Sequence, residues 1–105
     1  MSSGEVTLAA RSARLHGIDV REGQPIALVE DDLVAAEETV ATAAWAAVAR
    51  MISGRDSAII TLYAGEGTSA ADAAALADAL RSEFGVEVEI VDGGQPHYPY
   101  LIGVE

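Results

Sequence analysis

"IITLYAGEGTSAADAAALADALRSEFGVEVEIVD", residues 59–92, holds the clearest architectural signal in the chain. Ile59, Ile60, Thr61, Leu62 and Tyr63 form an apolar, β-branched run of strand length, and such a run suits burial on both faces. Past the glycines at 65 and 67, Ser69 with Asp72 three residues later marks a helix N-terminus. Ala73, Leu76, Ala77, Leu80 and Phe84 then recur on one helical face until Gly85 stops it. Val86, Val88 and Ile90 follow in alternation with Glu87 and Glu89, which predicts a strand with its aliphatic side inward. A strand–helix–strand unit joins parallel strands through a right-handed crossover. The segments after Tyr63 and after Val91 are therefore expected at the same carboxyl edge of the sheet, where open α/β sheets usually place ligands or contacts.

Towards the N-terminus, residues 37–54, "EETVATAAWAAVARMISG", repeat Val40, Ala44, Val48 and Met51 with Ile52 at helical spacing. Glu37 and Glu38 stand where the helix dipole favours carboxylates, and Gly54 is the expected stop. Trp45, Met51 and Phe84 are assigned to the core. Before this helix, Ile26 to Val29 and Leu33 to Ala36 read as a hairpin around an acidic turn of Glu30, Asp31 and Asp32. A first strand is expected over Glu5 to Ala10, with Val6 and Leu8 alternating against polar neighbours. The polar stretch that follows carries turns at Gly17 and Gly23. Residues 1–105 thus predict one α/β domain of two layers: a mixed β-sheet of five or six strands, two main helices and a C-terminal βαβ unit.

Composition excludes several functions. Half of the 105 residues are apolar, enough for one core of modest size. No cysteine is present, so thiolate metal sites, thiol nucleophiles and disulfides are ruled out. Seventeen acidic residues against six arginines give a net charge of −11, which repels nucleic acid and anionic membrane surfaces. The N-terminal residues lack an apolar segment after a basic start, and no run is long enough to insert in a membrane, so a cytoplasmic location is expected.

Motif chemistry is sparse. "YAGEGTSAAD", residues 63–72, leads from a strand through two glycines to a helix N-terminus, but it has no lysine and Glu66 stands where a phosphate would sit. An ordinary turn is the better reading. Glu30, Asp31 and Asp32 lack the spacing of a calcium loop. His16 and His97 belong to no metal or triad pattern, so no catalytic, cofactor or metal residue is assigned.

The last fourteen residues, "DGGQPHYPYLIGVE" (92–105), differ in kind. Gly93 and Gly94 allow unusual backbone angles, while Pro96 and Pro99 restrict the residues before them, so the loop is expected to be stiff. Tyr98, Tyr100, Ile102 and Val104 fall on one side of an extended segment and Leu101 and Glu105 on the other. His97 is then expected to project outward while Tyr98 and Tyr100 turn inward together. Two readings stay open on these residues: a corner that closes the sheet, or a preorganised protein contact offering Gln95, His97 and a tyrosine. An alternative of another class has the Gly93 and Gly94 amides and His97 binding a small anion or acyl phosphate.

"GGQPHYPYLIGVE" together with residues 59–91 resembles the C-terminus of the bacterial fatty acid kinase family, and residues 4–35 look like that family's preceding segment. The resemblance implies the C-terminal lobe of a longer DhaL-like, dihydroxyacetone-kinase-type protein. In that family the N-terminal domain binds ATP and magnesium, whose aspartates have no counterpart here. It further implies a non-catalytic lobe without its own cofactor that docks a separate DegV-like fatty-acid-binding carrier. The partner-binding residues expected on this basis are Glu66, Gly93, Gly94, Gln95, His97, Tyr98 and Tyr100.

Overall fold

The computed structural model describes residues 2–55 and 58–105. Its elements run β1 (Ser2–Leu8), β2 (Ala13–Leu15), β3 (Ile18–Val20), β4 (Pro25–Val29), β5 (Asp32–Ala36), α1 (Val40–Ile52), β6 (Ile59–Ala64), α2 (Ala70–Phe84), β7 (Glu87–Asp92) and β8 (Tyr100–Val104). Six of the strands form one mixed sheet in the order β5-β4-β1-β8-β6-β7, and β2 pairs with β3 as a separate ribbon. Within the large sheet β6 and β7 are parallel, as expected for strands joined by a helix, and the other pairings are antiparallel.

Both helices lie on one face. Val6 and Ala27, Ile60 and Val104, and Leu62 and Ile102 are cross-strand partners on that face, and they pack with Ala44, Val48, Leu76 and Leu80 into a single buried cluster. The expectation that Ile59 to Tyr63 is buried on both faces is therefore corrected: Ile59 is 44% and Tyr63 40% exposed. On β7, at the edge of the sheet, Val88 and Ile90 face the same side, yet only Val88 is buried and Ile90 is 41% exposed, so the expectation that Val86, Val88 and Ile90 all turn inward holds only in part.

Local chemistry explains the helix ends. Thr39 caps α1, its hydroxyl accepting from the Thr42 amide while the Thr42 hydroxyl accepts from the Thr39 amide. Glu37 and Glu38 thus precede the cap instead of occupying the first turn, and Glu38 holds Arg21 at 2.8 and 3.0 Å. Helix α2 begins as read, with the Ser69 hydroxyl accepting from Asp72 N–H, and ends at Gly85 in the left-handed region.

Two N-terminal readings change. β1 starts at Ser2 and stops at Leu8, which is half exposed, whereas Val6 is fully buried. The polar segment after it holds the β2–β3 hairpin, turned by His16 and Gly17, both at positive φ. Glu30 and Asp31 turn the β4–β5 hairpin in the same way, and Asp32 already belongs to β5. Ala9, Val20 and Leu33 form a second, smaller cluster under the ribbon.

Candidate functional site at the carboxyl edge of β6 and β7

The parallel pairing of β6 and β7 brings the turn after Ala64 and the loop after Asp92 together. Ala64 O accepts from the amides of both Gly93 and Gly94, at 2.9 and 3.0 Å. Gly65 N–H donates to Pro99 O at 2.8 Å and Glu66 N–H to Gln95 O at 2.9 Å. The Gln95 side-chain amide donates to Tyr63 O and Tyr98 O, and the Thr68 hydroxyl to Pro99 O. From the far side, the Thr7 hydroxyl donates to His97 O at 2.7 Å. The loop is consequently braced at nearly every residue, as its two prolines predict.

Gly65 is required by crowding. A Cβ there would overlap the Tyr98 carbonyl oxygen and sit 3.0 Å from that of Gln95. At Gly93 a Cβ would overlap the Gln95 amide oxygen.

On this frame the side chains sort differently from expectation. His97 is exposed, as predicted, and held at a φ of 69°. The tyrosines do not turn inward as a pair: Tyr100 is 2% exposed and Tyr98 37%. Strand β8 begins only at Tyr100, so strand alternation never reaches Tyr98, whose carbonyl is fixed by Gln95. Gln95 is half-buried and its amide nitrogen braces the loop from within. Glu66 stands exposed beside the loop. The amides of Gly93 and Gly94 already bond Ala64 O, which removes the donors on which an anion site would depend.

Adjoining this edge, a groove of about 840 Å³ runs between α1 and α2. Val40, Trp45 and Leu76 supply its apolar walls, Tyr100 lies at its base, and Glu66 and Asp72 bring carboxylates to it. Burial, and after it the charge of Asp72, pushes the Tyr100 hydroxyl above the usual tyrosine range. Sequence reasoning missed this groove and placed Trp45 in the core. Trp45 is indeed half-buried against Phe84, ring centroids 5.0 Å apart, yet it also faces the groove. The available signal was Ala75 and Ala79, small residues four apart that leave one face of α2 low.

Among the described residues, no three His, Cys, Asp or Glu side chains converge to hold a metal ion. No helix among them is long and apolar enough to cross a membrane.

Comparison with known proteins gives a consistent outcome. A family model for the C-terminal region of FakA-like fatty acid kinase subunits matches residues 1–105. An uncharacterized protein of Staphylococcus haemolyticus is 33% identical over 106 residues. Protein YloV of Bacillus subtilis is 31% identical over 106 residues. Each alignment covers 100% of this chain and 19% of the relative, so the chain spans about one fifth of the length of these proteins.

Proposed function

The chain belongs to the C-terminal family of FakA-like fatty acid kinase subunits, and on that basis we propose that it is a non-catalytic lobe that docks a DegV-like fatty-acid-binding carrier. ATP and magnesium belong, on this reading, to a separate DhaL-like domain of the same kinase. The observation that carries the docking role is the convergence of the Gly65–Thr68 turn and the Gln95–Tyr100 loop, cross-braced by backbone hydrogen bonds, with His97 and Tyr98 left exposed. A loop already held in one conformation loses little entropy on binding, which favours a contact surface.

Calorimetric titration of the chain with the DegV-like carrier from the same organism tests the proposal. Binding is expected, and His97→Ala is expected to weaken it by about 1–2 kcal/mol, as for a contact anchor. The melting temperature should hardly change, because only the backbone carbonyl of His97 is tied to the fold. Given ATP, magnesium and fatty acid, the isolated chain is expected to transfer no phosphate, since phosphoryl transfer needs a positioned metal. Turnover that survived repurification would overturn the non-catalytic assignment, and failure of the carrier to bind would overturn docking.

A further inference from the structure

The groove between α1 and α2 has a chemistry that narrows what can occupy it. Its threonine hydroxyls are already engaged: Thr39 and Thr42 bond each other at 2.8 Å, and Thr68 donates to Pro99 O. The carboxylates of Glu66 and Asp72 are different, forming no side-chain hydrogen bond or ion pair among the described residues. No arginine lines the groove. Arg14, Arg21 and Arg81 are paired with acids elsewhere, and Arg55 reaches Ser2.

An anion is repelled by this arrangement. A wholly apolar ligand would strip water from two carboxylates without replacing it, at a cost that grows with burial. A basic side chain meets both demands, because its methylene stem packs on apolar walls while its charged head stays at the carboxylates. Trp45 in the lining adds attraction for a cation that reaches its ring face, strongest for a planar guanidinium. Position then identifies the source: Glu66, Thr68, Pro99 and Tyr100 belong both to the groove and to the braced edge beside it. We propose that the groove between α1 and α2 receives an arginine or lysine side chain of the protein that docks at this edge. The identity of that protein as the carrier rests on the docking role argued above, whereas the groove's choice of a basic side chain does not.

Trp45 is the sole tryptophan of the chain and lines the groove, so its emission reports occupancy directly. The probe is a short peptide of alternating leucine and arginine, with a leucine–glutamate peptide as control. A saturable change in Trp45 emission is expected with the first and none with the second. The affinity should fall when NaCl is raised from about 50 to about 300 mM, because screening weakens attraction between partly exposed charges. The double variant Glu66→Gln, Asp72→Asn should lose about tenfold or more in affinity for the arginine peptide. Asp72→Asn retains the backbone N–H that Ser69 caps, so the variant's melting temperature checks that the fold persists. Absence of a saturable change, or an affinity within about twofold of the parent in the double variant, would overturn the proposal.

Titration with the carrier separates the two ideas. Loss of about tenfold in carrier affinity in the double variant supports the groove as its receptor. Equal binding of parent and double variant refutes the groove as the carrier's receptor and leaves docking intact. A carrier that binds neither protein refutes the docking role, while the peptide titration still decides whether the groove selects a basic side chain.

Discussion

At Gly65 the missing side chain is what the position requires, because the Tyr98 carbonyl oxygen occupies the space a Cβ would need. Gly65→Ala must push the terminal loop away from β6 or break its hydrogen bonds, and is expected to destabilise the fold by about 1–3 kcal/mol. Gly67 gives the contrast. Its φ of +84° would strain an alanine, but nothing lies within 4 Å of a Cβ there, so Gly67→Ala is expected to cost only the left-handed penalty of about 1–2 kcal/mol and to leave the loop in place. Amide exchange of Glu66, whose N–H bonds Gln95 O, distinguishes the two, since only Gly65→Ala should expose it. Glu5 shows the same dependence on neighbours through charge. Burial first, then the charge of Asp31, holds its carboxyl above the ordinary value. The folded protein therefore keeps this proton more tightly than the unfolded chain does. Stability from the site is present at low pH and is lost as pH rises through the shifted range. Glu5→Gln should accordingly raise the melting temperature relative to the parent at neutral pH, and the advantage should shrink to nothing in acid. A constant difference across pH would show that Glu5 ionisation does not act on folding.

Helix α2 is the element in which local signals and tertiary packing agree. Its cap, its stop and its buried positions were all legible: Ser69, Gly85, and Ala73, Leu76, Ala77 and Leu80 are where periodicity puts them. Leu80 is fully buried, so Leu80→Ala is expected to cost about 2–5 kcal/mol in a denaturant titration. A loss below about 0.5 kcal/mol would contradict its place at the centre of the core. The β2–β3 ribbon was not legible, because its strands are only three residues each, too short for the alternation of Ala13-Arg14-Leu15 and Ile18-Asp19-Val20 to stand out, and its turn is His16-Gly17, not one of the common Asn-Gly or Asp-Gly pairs. Nor did the sequence reveal that Ile59 and Tyr63 would face away from the helices. A strand records which residues are apolar, but the choice of covered face belongs to the helices that pack on it. The groove was hidden for a related reason. It exists because small residues on α2 face Trp45 of α1 across a gap, and no single helix contains that information. The edge proposed for docking was more accessible, since a parallel crossover fixes where two loops must emerge.

Across the whole molecule, the last strand in sequence lies inside the sheet: β8 pairs with β1 on one side and β6 on the other. The glycine- and proline-rich loop before it therefore has a structural duty, returning the chain from the edge strand β7 to a position between β1 and β6. It also places the exposed His97 and Tyr98, proposed above as partner contacts, beside an acidic groove, on a protein that carries a net charge of −11. That charge bears on stability as well as recognition. The ion pairs Arg14–Asp19, Arg21–Glu38 and Arg81–Asp78 all lie at the surface, with side chains at least 45% exposed. Pairs of this kind contribute about 0–1 kcal/mol each. Repulsion among the excess carboxylates, in contrast, acts over the entire compact state and is relieved when the chain unfolds. Salt screens both terms, but the Debye length falls to about 10 Å at 0.1 M, so the long-range repulsion is weakened more than close contacts. Adding NaCl should therefore raise the melting temperature of the chain, each kcal/mol gained registering as about 4–8 °C in a domain of this size. The same salt should weaken occupation of the groove by a basic peptide. If melting temperature and peptide affinity instead fell together, the surface ion pairs would outweigh the repulsion. A rise in stability accompanied by a fall in affinity is the signature of carboxylates left unpaired in the fold and available to a cationic partner.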